Sequence, residues 1–81
     1  MTLADQIAWL DSEAIKRLAA AGRREKRAAE DRTRAGPSGR GWYADNAARK
    51  EQQGQKLREE AAQLLAVENS LRELQQLRGT A

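Results

Sequence analysis

The side chains with the most obvious chemistry gather just before the middle of the chain. Arg24, Arg27, Arg32, Arg34 and Arg40 are followed at once by Trp42 and Tyr43. Guanidinium groups make paired hydrogen bonds to phosphates and carboxylates, and indole and phenol rings stack on flat partners. Such a set can grip a phosphodiester backbone and stack on its bases. It can equally form an arginine and aromatic hot spot for an acidic protein. The plain structural reading is a solvated basic helix, with Trp42 and Tyr43 packing the start of a second helix.

The charge is unevenly spread. Residues 1–15 carry three acids and no base, residues 16–40 nine bases and three acids, and residues 41–81 six of each. Catalytic chemistry has little to work with. There is no His and no Cys, and Ser12, Ser38 and Ser70 have no base beside them in the sequence. Gly36, Gly39 and Gly41 do not match a phosphate-binding loop, and Glu59, Glu60, Asp45 and Glu51 lack the Glu-x-x-His partner of a di-iron bundle. The expectation is a non-enzyme without a catalytic residue, a cofactor or a metal.

These residues need elements to hold them. The 81 residues make one domain at most, and a chain rich in Ala, Leu, Glu, Gln, Lys and Arg is α-helical. Thr2 with Asp5 three residues later forms a capping box, so a helix is expected over 2–35. Leu3, Ile7, Leu10, Ala14, Leu18 and Ala21 form its apolar stripe. Gly36-Pro37-Ser38-Gly39-Arg40-Gly41 is a turn, 36–41. A second helix over 42–78 carries Leu57, Leu64 and Leu71 at intervals of seven, with Val67 and Leu74 between them and Gly79 as its stop. Asn46 to Lys50 ahead of those leucines is too sparsely basic for a basic leucine zipper.

Folding the chain about the glycine-rich turn pairs the stripes. Leu3 meets Leu77, Ile7 Leu74, Leu10 Leu71, Ala14 Val67, Leu18 Leu64 and Ala21 Ala61. The fold is therefore expected to be all-α, an antiparallel two-helix hairpin of coiled-coil type. Its core is Leu3, Ile7, Leu10, Leu18, Leu57, Leu64, Val67, Leu71 and Leu74. The half nearer the turn, with Glu25, Ala28, Arg32, Asn46, Lys50, Gln53 and Gly54 at seam positions, is expected to pack loosely.

That core is thin against the cost of ordering the chain, about 1.5 kcal/mol per residue. Self-association is the expected remedy. Ile15 and Leu65 lie off the stripes at one level of the hairpin, with Ala8, Ala19 and Ala62 beside them. They form a small-residue face suited to a homodimer, a four-helix bundle. Trp9 also falls off the stripe, as a cover for the bundle end or a contact residue.

No run approaches a membrane span, no secretory signal is visible, and cysteine is absent, so a soluble cytoplasmic protein is expected. The function implied is binding: a small adaptor, co-chaperone or inhibitor that meets an unidentified protein through the turn end. The alternatives are a nucleic-acid-binding regulator using the same residues, and a homopolymeric structural subunit.

Overall fold

The computed structural model describes residues 1–37, 39 and 41–80, without the side chain of residue 80. Helix α1 spans Leu3–Ala35 and α2 spans Trp42–Thr80. At 1.5 Å per residue, helices of 33 and 39 residues account for a molecule 62 Å long and only 15 by 13 Å across. Thr2 opens α1: its hydroxyl accepts from the Asp5 amide at 3.1 Å, and the Asp5 carboxylate accepts from the Thr2 amide at 3.2 Å. This reciprocal pair satisfies two amides that the first turn leaves without helical partners.

The chain reverses on glycine. Gly36, Gly39 and Gly41 all have positive φ, at 74°, 62° and 98°. The Gly39 amide donates to the Gly36 carbonyl, and α2 begins with the Asp45 amide donating to Gly41. Left-handed backbone is open to glycine and costs other residues roughly 1–2 kcal/mol. At the far end α2 passes the expected stop and runs on to Thr80. Gly79 stays at negative φ and so does not act as a C-terminal cap.

The helices pack lengthwise and antiparallel, and the line along which they meet differs from the leucine seam. Ile7, Ala14, Ala21 and Ala28 are buried on α1, each seven residues after the last. Ala47, Gly54, Ala61 and Glu68 are buried on α2 at the same interval. Six of these eight are Ala or Gly. A seven-residue repeat of small side chains lets two backbones come close. At Gly54 an added Cβ would lie 3.5 Å from the Ala21 carbonyl oxygen and 3.3 Å from Glu25 Cγ.

Close approach pushes the larger side chains to the shoulders. Leu57, Leu64 and Leu71 are half-buried beside the α2 line, and Leu3 is half-buried on α1, where Ile7 and Leu10 are buried. Three residues expected in the core are corrected. Leu18, Val67 and Leu74 are 37%, 51% and 41% exposed. On α1 the seam steps from Ala14 to Ala21 past Arg17, which turns Leu18 outward.

The turn-proximal half is likewise not the loose end that its polar residues suggest. Ala28, Ala44, Ala47 and Gly54 are buried there, and ion pairs bridge the helices on both sides. Small residues separated by mostly charged or amide side chains do not look like a core, yet they need little room to make one.

Two glycines should therefore respond oppositely. Gly22 lies in α1 with nothing within 4 Å of an added Cβ, so Gly22→Ala should stabilise the fold by about 1 kcal/mol. Gly54→Leu should force the backbones apart and destabilise by about 1–3 kcal/mol. Urea unfolding followed by circular dichroism checks both; equal effects at the two sites would contradict the close seam.

Candidate functional site

Two shoulders flank the seam, and the ion pairs identify them. Counting from the buried line, residues three places on lie to one side of a helix and residues four places on to the other. Lys50 pairs with Asp31 at 2.5 Å, joining two three-on positions. Arg17 and Glu60 pair at 3.3 Å on this same side. Arg58 with Glu25, and Arg32 with Glu51, join four-on positions. We call these the first and second flanks.

On the second flank every charged side chain that borders the seam near the turn is compensated. Arg58 grips Glu25 with both Nε and Nη2, and Arg32 grips Glu51 in the same two-pronged manner. The hydrogen bond from Arg58 holds Glu25 below the usual carboxylate range, and that from Arg32 does the same to Glu51. Arg17 lowers Glu13 likewise, one turn along α1. The arginine partners are each raised, first by those same hydrogen bonds. Two carboxylates are buried, Asp31 against Lys50 and Glu68 against Arg72. Among the described residues no buried polar side-chain atom lacks a hydrogen-bond partner.

The expected oligomer residues also sit on this side. Seven residues back along α1 from Glu25 is Leu18, and seven on along α2 from Arg58 is Leu65. The ladder of ion pairs thus continues as a leucine rung. Ile15 is 58% exposed beside it, Leu65 is half-buried, and Ala8, Ala19 and Ala62 are exposed. Ala19 lies farthest round, on the back of α1.

The first flank is charged differently. Arg23, Arg24, Arg27 and Arg34 of α1 have no ion-pair partner among the described residues. Arg23, Arg24 and Arg27 surround Ala20 in a shallow hollow of about 130 Å³. Arg24 also lines the inter-helix groove with Gln53, Lys56, Leu57 and Glu60, a volume of about 280 Å³. At the turn, the Arg34 guanidinium lies 6.0 Å from the Tyr43 ring centre. Trp42 meets Tyr43 edge to face at 4.9 Å and is itself 68% exposed. At the other end Met1, Gln6, Trp9, Leu10 and Leu71 enclose an open apolar hollow of about 340 Å³.

The basic residues expected to bind a partner therefore divide. Arg34, Trp42 and Tyr43 come together at the turn, and Arg24 and Arg27 lie on the same flank nearer the middle. Arg32 belongs to the other flank, locked to Glu51, and is removed from the set. Arg40 lies outside the described residues. Sequence reasoning did not assign Arg23 and Lys56, or join Trp9 to Gln6, Leu10 and Leu71. The spacing of Gln6, Trp9 and Leu10 at three and four was the available signal. Among the described residues no three acidic side chains converge as a metal site, and no helix is long and apolar enough to cross a membrane.

Comparison with models of known families, with curated proteins and with solved structures finds no match. The geometry alone carries the functional argument.

The lowered carboxylates set a pH dependence. A group whose pKa falls on folding adds stability above its unfolded value and loses it as pH drops through the folded one. Glu13, Glu25 and Glu51 should thus leave the melting temperature flat from neutral pH to about pH 5 and lower it below that. Arg17, Arg32 and Arg58 stay charged throughout this range. A melting temperature that rises on acidification would show that these pairs do not act as described.

Proposed function

We propose that the chain is a non-enzymatic protein-interaction module. It pairs with a second copy through the second flank, as a four-helix bundle, and binds an acidic protein through the basic turn end. The observation that carries the reading is the partition of charge. Arg32, Arg58 and Arg17 are consumed by carboxylates within the fold, whereas Arg23, Arg24, Arg27 and Arg34 stand without an ion-pair partner along the first flank, the last of them over the Tyr43 ring next to exposed Trp42.

The self-association half rests on surface chemistry. Ile15, Leu18 and Leu65 with flanking alanines present a neutral apolar strip bordered by compensated ion pairs, so two copies can meet without repulsion. A hairpin with so little large apolar surface inside gains from covering it.

Phosphodiester binding is a second reading, supported by the arginines around Ala20, which face no carboxylate of their own. Salt separates the two. Phosphate contacts release counterions, so affinity for nucleic acid falls steeply and linearly on a logarithmic salt scale. A protein contact anchored by Trp42 falls less.

Two variants test the proposal. Trp42→Ala with Tyr43→Ala should abolish capture of the partner from the native host while helicity is unchanged; undiminished capture would remove the turn end from the interface. Ile15→Lys alters a side chain that is largely in solvent, so the hairpin should persist. By sedimentation it should run as a monomer, and a retained dimer mass would show the second flank idle.

A further inference from the structure

Along the first flank lie, in order, the apolar hollow at Trp9 and Leu71, the Arg17–Glu60 pair, and the inter-helix groove and α1 hollow that Arg24 shares. From Leu10 to Arg24 is fourteen residues of α1, about 21 Å, and Arg34 lies about 15 Å farther on. Over that distance the flank passes from the apolar hollow at Trp9 and Leu71 to the unpaired arginines. We infer that this flank is the docking site for one amphipathic helix of a partner protein, seated by an apolar side chain in the Trp9–Leu71 hollow and by acids opposite Arg24, Arg27 and Arg34. The inference rests on the reading of the chain as a binder of an acidic protein, and moves the decisive contact from the turn onto the flank.

Periodicity selects a helix as the occupant. The walls repeat every seven residues, through Leu57, Leu64 and Leu71 on α2 and Leu10, Arg17 and Arg24 on α1. Seven helical residues advance about 10.5 Å, so a third helix meets the same wall feature once per heptad. An extended strand, at about 3.3 Å per residue, drifts out of step. Ala20, small and half-buried, gives such a helix room beside the arginines.

Charge excludes the other occupants. Two first flanks laid in the same direction would set arginines against arginines. Laid in opposite directions, they would set arginines against the apolar hollow. Neither is complementary, so a second copy does not belong here. A polyanion would satisfy the arginines but would leave the apolar hollow uncovered.

The test uses a labelled synthetic helix of about 28 residues, with leucines seven apart near one end and glutamates spaced to meet Arg24, Arg27 and Arg34. Fluorescence anisotropy against the full chain should show saturable binding. Trp9→Ala should weaken it roughly tenfold, as should Arg24→Glu with Arg27→Glu. A peptide with lysines in place of the glutamates should restore binding to the arginine variant. Circular dichroism confirms that the variants remain helical. Absence of saturation up to about 100 µM overturns the inference; so does indifference to Trp9→Ala, or equal affinity for a single-stranded oligonucleotide. Trp42→Ala with Tyr43→Ala is measured alongside. If that variant alone loses the peptide, the flank site fails and the turn-end reading stands. If Trp9→Ala alone loses it, the turn end is dispensable and the flank site stands.

Discussion

Two backbones held close along a line of alanine and glycine are the constraint on which the rest of this structure depends. Ala14, Ala21 and Ala28 face Ala47, Gly54 and Ala61, and five of those six side chains are single methyl groups. Each buries little apolar area, about 25 cal/mol per Å², so the line contributes contact more than hydrophobic energy. Its effect is geometric. It fixes the separation of the helices, and that separation decides which other side chains can touch. Leucines cannot enter the line and become shoulders, whereas long charged side chains on opposite helices fall within reach of one another across it.

Burial of Glu68 puts the one charged side chain into that line, as Ile7 puts in the one large apolar side chain. The carboxylate lies 2.8 Å from Arg72 on the same helix. Replacing such a group by an apolar one is often neutral or favourable, so stability is a weak reason for its presence. A charge at one level of an otherwise repetitive line does distinguish that level from the others. A slip by one heptad would move Glu68 to another level of α1 and separate the pairs Glu25–Arg58 and Asp31–Lys50. Register is thus written in charge, because the repeat of methyl groups specifies it poorly.

Much of the architecture could be read from the residues. Thr2 and Asp5 announce the start of α1, and Gly36 with Pro37 announces its end. The two apolar stripes on either side of that turn imply a hairpin of two long packed helices. The seam itself was read wrongly in part, and the reason is physical. Leucine at intervals of seven is a louder signal than alanine at the same interval, since leucine is enriched in cores and alanine is common anywhere in a helix. A stripe traced by large aliphatic residues therefore passes through Leu18, Val67 and Leu74, which lie exposed. The closer packing is written in residues 14, 21, 28 and 47, 54, 61, which are all Ala or Gly. The basic cluster was legible as composition, but its division between flanks was not. Arg32 and Arg34 are two residues apart, which on a helix places them on different sides. Only the register of α2, bringing Glu51 beside one and Tyr43 beside the other, separates the consumed arginine from the available one.

The unpaired arginines are the harder feature to explain by folding alone. Arg23 and Arg27 are four apart on α1, where like charges oppose each other by roughly 0.2–0.5 kcal/mol. The same helix supplies Glu25 four residues from neither, and spends it on Arg58 across the seam. A chain under pressure only to fold would gain from an acid at position 20, three and four residues from Arg23 and Arg24. Alanine stands there instead, and it leaves an open floor among three guanidinium groups. Small repulsions retained within a fold of thin core point to a compensating contact outside it. An external carboxylate array would lower the free energy of the arginines more than it lowers that of the second flank, whose charges are already matched. Asymmetry of charge between two flanks with the same backbone geometry is therefore the physical basis of the proposal that they take different partners.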